Sequence, residues 1–301
     1  MATLRGQNFR VLDYDSTAAK YKVIAMATNC VITYTNNTEQ AQTKDDIGMA
    51  ARPSVVSKGW QVRVDSLSVA DVGALMTAMK TSKEFTLLWD EVSTTDNQTP
   101  EGTYAMIGKA FLTDATFQFD NRTNAQKNLT FTGNGSVDAA PSTIPSQEIS
   151  SGSYTKGQFV RLFLMSGSTS YVIASARTLS IHLNVSLEDA TTKDTEDEWV
   201  VQEPVELSYD IQSSALIRGN DTITSQTGDI SFLEMQIFAI SEATELSWKI
   251  ANVSGANNRT IGSVIASGDG IITSFEIDAA TKQPASYKMS LAGVGNYTVG
   301  A

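Results

Sequence analysis

The sequence predicts a β-rich α+β fold, laid out as two tandem copies of one strand-rich domain with one flanking helix each. Three observations predict it. Short apolar stretches alternate with Thr, Ser and Asn and are broken by only six prolines, the pattern of short strands. The 301-residue chain repeats itself, with Val23 and Val172 as matching positions. A Pro/Ser/Gly-rich stretch, Val137–Ser153, lies between the repeats and reads as a linker. At roughly 150 residues per domain, length alone allows two. The copies are placed at 1–138 and 154–301, with the linker at 139–153.

The repeat is in register without gaps from Val23 through Asp45 and from Val172 through Asp194. Identical pairs include Ile24/Ile173, Ala27/Ala176, Ile32/Ile181, Glu39/Glu188, Thr43/Thr192, Lys44/Lys193 and Asp45/Asp194. Upstream, Phe9 and Leu12 match Phe159 and Leu162. Downstream, Trp60, Val62 and Leu67 match Tyr209, Ile211 and Leu216, and Leu87 and Trp89 match Leu246 and Trp248. Near the ends, Leu129–Gly135 parallels Met289–Gly295, each closing on Gly-x-Gly. The extra residues of the second copy fall around Ile217–Gly228. Two copies are too few for a solenoid, so the reading is a tandem duplication.

Each copy then reads in order. Leu179, Ile181, Leu183 and Val185 alternate with Ser180, His182, Asn184 and Ser186, a strand with one buried face. Cys30, Ile32 and Tyr34 are its first-copy equivalent. A long polar loop follows, Glu39–Lys58 or Glu188–Pro204. Next comes a strand, Trp60/Val62/Val64 or Val205/Leu207/Tyr209/Ile211. A helix is expected after it: Ser68 as cap with Asp71 as reciprocal partner, then Val69, Val72, Leu75, Met76 and Met79 at helical spacing. The second copy offers Phe232–Ile240, opened by Asp229. Further strands are expected at Phe85–Trp89, Ala115–Phe119 and Leu129–Thr132, with counterparts Leu246–Ile250, Ile271–Ile277 and Tyr287–Leu291. The unit is a sandwich or barrel with one helix.

Composition excludes several functions. No apolar run approaches the ~18–20 residues that span a bilayer. The segment Met1–Gln7 lacks the apolar core of a secretory signal, and with Met1 present no trimmed signal is expected. One cysteine, Cys30, excludes an internal disulfide or a Cys-rich zinc site. One histidine, His182, excludes a multi-His metal site. With 22 basic and 33 acidic residues, a net charge of −11, the chain is no ordinary binder of nucleic-acid phosphates.

The residues that could carry chemistry read as structural. His182 lies on the polar face of its strand, with Thr33 as its first-copy counterpart, and is a polar strand residue rather than a general base. Cys30 matches Leu179 and is a small core residue rather than a nucleophile. The acidic run Glu188–Glu198 lacks the ligand alternation and glycine of a calcium loop. Gly133 and Gly135 follow a strand but open no helix, as a phosphate loop requires. Asp90 and Glu91 show no placement for acid–base work. Neither catalytic residues, nor metal ligands, nor a cofactor site are expected.

Three of these features together resemble the major tail tube proteins of long-tailed bacteriophages. They are the strand running into the acidic loop (Leu179 to Asp194, and Ile32 to Asp45), the aromatic-led strand and helix after it (Trp60, Tyr209), and the closing Gly-x-Gly strand. Order and spacing carry the resemblance, which covers nearly the whole chain twice. It implies a β-sandwich or barrel with a flanking helix, and a structural virion protein rather than an enzyme. Such proteins form hexameric rings that stack into the hollow tail tube conducting DNA during ejection. With two copies per chain, three chains would close a pseudo-hexamer; six chains with one copy outside is the alternative. The implied partners are further copies of the chain, the tape-measure, tail terminator and distal tail proteins, and phage DNA passing unbound through the lumen, with no membrane insertion. The implied place is the virion tail, assembled in the host cytoplasm. The resemblance assigns the long loops to contacts between subunits, through Glu39, Lys44, Asp45, Glu188, Lys193 and Asp194. The inner tube of a contractile injection system is a second possibility. A tandem carbohydrate-binding module is a third, and it requires an exposed row of Trp or Tyr.

Overall fold

The structure is a computed structural model. It describes residues 5–24, 26–40, 53–67, 71–96, 99–140, 144–145, 155–166, 169–173, 175–193, 195, 198–217, 229–230, 232–240, 245–254 and 260–300. The first half holds β1 (Phe9–Asp15), β2 (Lys20–Val23), β3 (Ala27–Gln40), β4 (Pro53–Leu67), α1 (Val72–Lys80), β5 (Glu84–Glu91), β6 (Met106–Gln118) and β7 (Gln126–Ala139). The second holds β8 (Val160–Ser166), β9 (Thr169–Ile173), β10 (Ala176–Asp189), β11 (Gln202–Leu216), β12 (Asp229–Ile230), α2 (Phe232–Ile240), β13 (Leu246–Ser254), β14 (Thr260–Asp278) and β15 (Ser286–Val299). The fold is β-rich α+β, as the alternation predicts. No described helix is long and apolar enough to cross a membrane.

Among the described residues, all fifteen strands join one sheet, antiparallel except where β12 meets β9. In the first half the strands run β2-β1-β5-β6-β7-β4-β3, and in the second β9-β8-β13-β14-β15-β11-β10. Taken in chain order, with β12 as the one addition, these are the same path. Backbone detail follows the same correspondence. Left-handed φ recurs at Met26 and Ser175, at Arg122 and Lys282, and at Gly135 and Gly295. The ladders β6/β7 and β14/β15 each skip one residue, at Leu112/Asp114 and at Ile272/Ser274.

One apolar core runs through both halves, from Val62, Leu87 and Phe131 to Ile181, Trp248 and Leu291. Trp60 packs on Trp89 at 5.2 Å between ring centroids, and Tyr209 on Trp248 at 5.6 Å. The Gly-x-Gly motifs make room for these rings. A Cβ at Gly133 would lie 2.3 Å from the Trp60 indole, and one at Gly293 would lie 2.2 Å from Tyr209. The second glycine of each motif takes positive φ, +76° at Gly135 and +63° at Gly295, where a side chain is disfavoured.

Several local expectations need correction. Ser68 lies outside the described residues, and Asp71 makes no capping bond. It binds the fully buried Lys127 of β7 instead, with Nζ 2.5 Å from Oδ2. A tertiary partner has taken the carboxylate from the helix end. Asp229 does not open α2; it pairs with Val172 in β12. The strands after the long loops begin earlier than their aromatic residues suggest, at Pro53 and Gln202, because the polar residues ahead of Trp60 and Tyr209 still pair with β3 and β10. Part of the linker is docked rather than free: Pro145 O accepts from Tyr21 N at 2.8 Å, and Ile144 packs on the Leu12–Tyr21 cluster.

Candidate assembly interface

Of the charged residues expected at contacts between subunits, Glu39, Glu188 and Lys193 are among the described residues. Glu39 and Glu188 are exposed near the far ends of β3 and β10, opposite Ser54 and Glu203, and Lys193 is exposed in a turn beyond β10. Lys44, Asp45 and Asp194 lie outside the described residues. The contacts that the second-half loop does make are with the first half. Lys58 meets Glu198 at 2.7 Å, and its backbone forms a bridge with Trp199. Gly135 N donates to Val200 O at 3.0 Å, and Gln202 N to Asn134 Oδ1 at 2.8 Å. Trp199, the one tryptophan set in a polar loop, was the available signal for this contact. The matching surface of the second half, lined by Leu207, Tyr209, Gly293, Gly295 and Asn296, is an open groove.

The halves join chiefly along a strand edge. β6 carries β5 on the first part of one edge, through Phe111, and β10 on the rest of it. The junction pairs Ser180 with Gln118, Ile181 with Phe117, His182 with Thr116, Leu183 with Ala115 and Asn184 with Asp114. Reciprocal backbone bonds between Phe119 and Leu179, at 2.7 and 3.2 Å, and one from Asn121 N to Arg177 O at 2.9 Å lengthen it. On the core face Ile181, Leu183, Ala115 and Phe117 are at most 1% exposed. Full burial of a side chain of this kind is worth ~1.5–3 kcal/mol. Helix α1 closes the contact from that side. Tyr297 of β15 donates from its hydroxyl to Met76 O at 2.6 Å, and Lys80 Nζ donates to Tyr297 O at 2.8 Å.

His182 pins the other face. Its Nε2 lies 2.6 Å from Asp114 of the first half and its Nδ1 lies 2.9 Å from Asp210 of the second. Only the imidazolium donates from both nitrogens. Partial burial lowers the His182 pKa, but the bonds to Asp114 and Asp210 outweigh it and hold it above the usual histidine value. The geometry is that of a charged staple across a strand junction.

Outside the junction, the strongest candidates for chemistry are occupied by structure. Asp90 is fully buried and accepts from Gly102 N at 2.6 Å and Tyr104 N at 3.0 Å, fixing a turn. Cys30 is partly buried against the core, with its thiol pKa pushed up by burial. Trp60, Trp89 and Trp248 are buried and Trp199 is partly buried, so tryptophan offers no exposed row. Among the described residues no group of three His, Cys, Asp or Glu could hold a metal ion.

Strand edges stand open at β2 and β12, the ends of the strand path, and at the counterparts of the two junction strands: among the described residues β3 pairs only with β4, and Ile271–Asp278 of β14 pairs only with β15. Exposed apolar side chains gather there: Val31 and Tyr34 on β3, Ile277 on β14, and Leu233, Ile237 and Ile240 along α2.

No protein-family model matches the chain, and no curated protein does. Among solved structures it is similar to a chain from the tail of an empty gene transfer agent particle, obtained by helical refinement with C6 symmetry. The two share 20% identity at a TM-score of 0.38, over 49% of this chain and 99% of that one. A chain from the virion of a native gene transfer agent particle gives 20% identity and a TM-score of 0.36 over the same shares.

Proposed function

We propose that the chain is a structural subunit of a phage-like tail, without enzymatic activity. It carries two tandem tube domains, at 1–138 and 154–301. Three chains close a ring of six domains, and stacked rings form a tube that conducts DNA in the virion tail, alongside tape-measure, terminator and distal tail proteins.

The observation that carries this reading is the β6–β10 junction. One half passes its sheet to the next by an edge contact, and both halves follow the same strand path. A head-to-tail contact between equivalent units repeats, and it closes as a ring when the rotation allows. Helices α1 and α2 pack with the main apolar core on one face of this sheet. In the proposed ring that face turns outward and the opposite face of the long strands lines the channel. Along β4, β6, β11, β14 and β15 that face carries Asp65, Asp114, Asp210, Glu276 and Asp278 against Arg63, Lys109 and Lys288. An acidic wall avoids the counterion-release affinity that a basic one gives to passing phosphates. The long arms β3–β4 and β10–β11 reach toward neighbouring subunits with Glu39, Lys44, Asp45, Glu188, Lys193 and Asp194 at or beyond their ends. Val56 and Val205, exposed at matching positions, serve the same contact.

Electron microscopy of the purified protein at high concentration tests the reading. Six-lobed rings or hollow tubes are expected, and their absence at every concentration overturns it.

A further inference from the structure

We propose that successive chains join by laying β3 of one chain against the 274–278 stretch of β14 of the next, in the register that β10 and β6 use inside the chain. The inference deepens the ring-forming reading and rests on it. Three independent parts of the junction have open counterparts, and all three fall on the same pair of surfaces.

The first is the edge. β10 corresponds to β3, and the second part of β6 to the second part of β14. Transferring the internal register sets Ile32 opposite Ile277, Thr33 opposite Glu276, and Tyr34 opposite Phe275. Inside the chain the core-face residues at these places, Ile181, Leu183, Phe117 and Ala115, are sealed. At the open edges Tyr34 is 51% exposed and Ile277 is 47% exposed. Long exposed apolar edges template further pairing, and cross-strand apolar and aromatic pairs stabilise it.

The second part is the helix. α1 lies over the neighbouring half, against Tyr297 and Val299 of β15. The corresponding helix, α2, carries Leu233, Ile237 and Ile240 exposed at i, i+4 and i+7, one stripe of its surface. In the transferred arrangement that stripe lies over the end of β7 of the next chain, around Val137. The third part is the groove at Leu207, Gly293 and Gly295, equivalent to the surface where Lys58 and Gly135 take the loop through Glu198–Val200.

The partner is therefore a second copy of this chain. Each chain offers β14, α2 and the groove to one neighbour, and β3 and β7 to the other. The two interfaces are not identical. The His182 staple has Thr33 in its place, and the Leu183–Ala115 pair becomes Tyr34–Phe275. Internal and external contacts are thus chemically distinct.

The test is disulfide capture in the full chain. In a Cys30→Ala background, Thr33→Cys and Glu276→Cys are combined. In the transferred register this is a non-hydrogen-bonded pair, with Cα atoms about 4.5 Å apart, within disulfide reach. Mild oxidation is expected to give covalent dimers and closed trimers on non-reducing gels, while each single-cysteine variant gives neither. Thr33→Cys with Ser274→Cys, two residues out of register, is expected to cross-link several-fold less. Separately, Ile277→Glu keeps the secondary structure and melting temperature and weakens self-association by at least about tenfold. Rings in micrographs without the Thr33–Glu276 cross-link, or undiminished association of Ile277→Glu, overturn this edge pairing and leave the ring reading standing. A chain that stays monomeric at all concentrations overturns both.

Discussion

Replacing Asp71 by Asn removes the partner of the only fully buried ammonium among the described residues. Lys127 is 0% exposed and lies on the core face of β7, with its Nζ held by Asp71 alone in a charge pair. Breaking a buried pair from one side costs ~3–5 kcal/mol, because the remaining charge stays desolvated. Asp71 itself is 41% exposed, which already screens part of the attraction and sets the expected loss near the lower end, about 3 kcal/mol. Against a total stability of ~5–15 kcal/mol that is a large fraction. The second half shows how the site tolerates an apolar replacement. Tyr287 takes the place of Lys127 and packs on Phe232 and Phe275 at 5.6 and 5.2 Å. Asp71→Asn combined with Lys127→Met is therefore expected to return to within about 1 kcal/mol of the parent. The assay is guanidinium unfolding followed by tryptophan fluorescence, at dilution where self-association does not contribute. A single Asp71→Asn variant within about 1 kcal/mol of the parent, or a double variant no better than the single, refutes the reasoning.

Other outcomes follow from the same geometry. Gly133→Ala, with no room beside Trp60, is expected to lower stability by ~1–3 kcal/mol. Gly59→Ala, where nothing lies within 4 Å of the added carbon, changes it by less than about 1 kcal/mol in the same unfolding assay. His182 makes the junction pH-dependent. Its folded pKa is raised, so its stabilisation is fully present below the unfolded value near 6.5 and is lost as pH rises through the higher folded value. Melting temperatures measured between pH 5.5 and 8.5 are expected to fall over that window, and His182→Thr flattens the profile. An unchanged slope in that variant removes the staple.

How much of this was legible in the sequence depended on whether one face of an element or two was buried. β10 alternates because one face meets the core and the other stays polar, so Leu179 to Val185 announce it. β1, β5 and β8 do not alternate. Val11, Leu87 and Leu164 enter the main core while their neighbours Leu12, Leu88 and Phe163 enter separate clusters behind it. Burial on both faces turns the pattern into a continuous apolar run, which periodicity alone cannot assign. Helix α2 was visible from its own residues, whereas the role of Asp71 beside α1 was not, because its partner Lys127 lies 56 positions away. At the interface, the resemblance to tail tube proteins pointed to the long loops. The contacts inside the chain are strand edges, a histidine staple and Glu198–Val200, and edge pairing between distant strands leaves no local mark. What did survive was the matching of positions between the halves, because the Gly-x-Gly motifs sit under Trp60 and Tyr209 for one steric reason.

The central claim is that two tandem domains per chain let three chains close a ring of six. The mass of the smallest closed assembly, measured by native mass spectrometry on gently dissociated tubes, tests it most directly. With chains of 32.4 kDa, three give about 97 kDa, and that is the expected species. A ring of six chains, about 194 kDa, places one domain of each chain outside the ring and contradicts the account, as does a protein that never leaves 32.4 kDa.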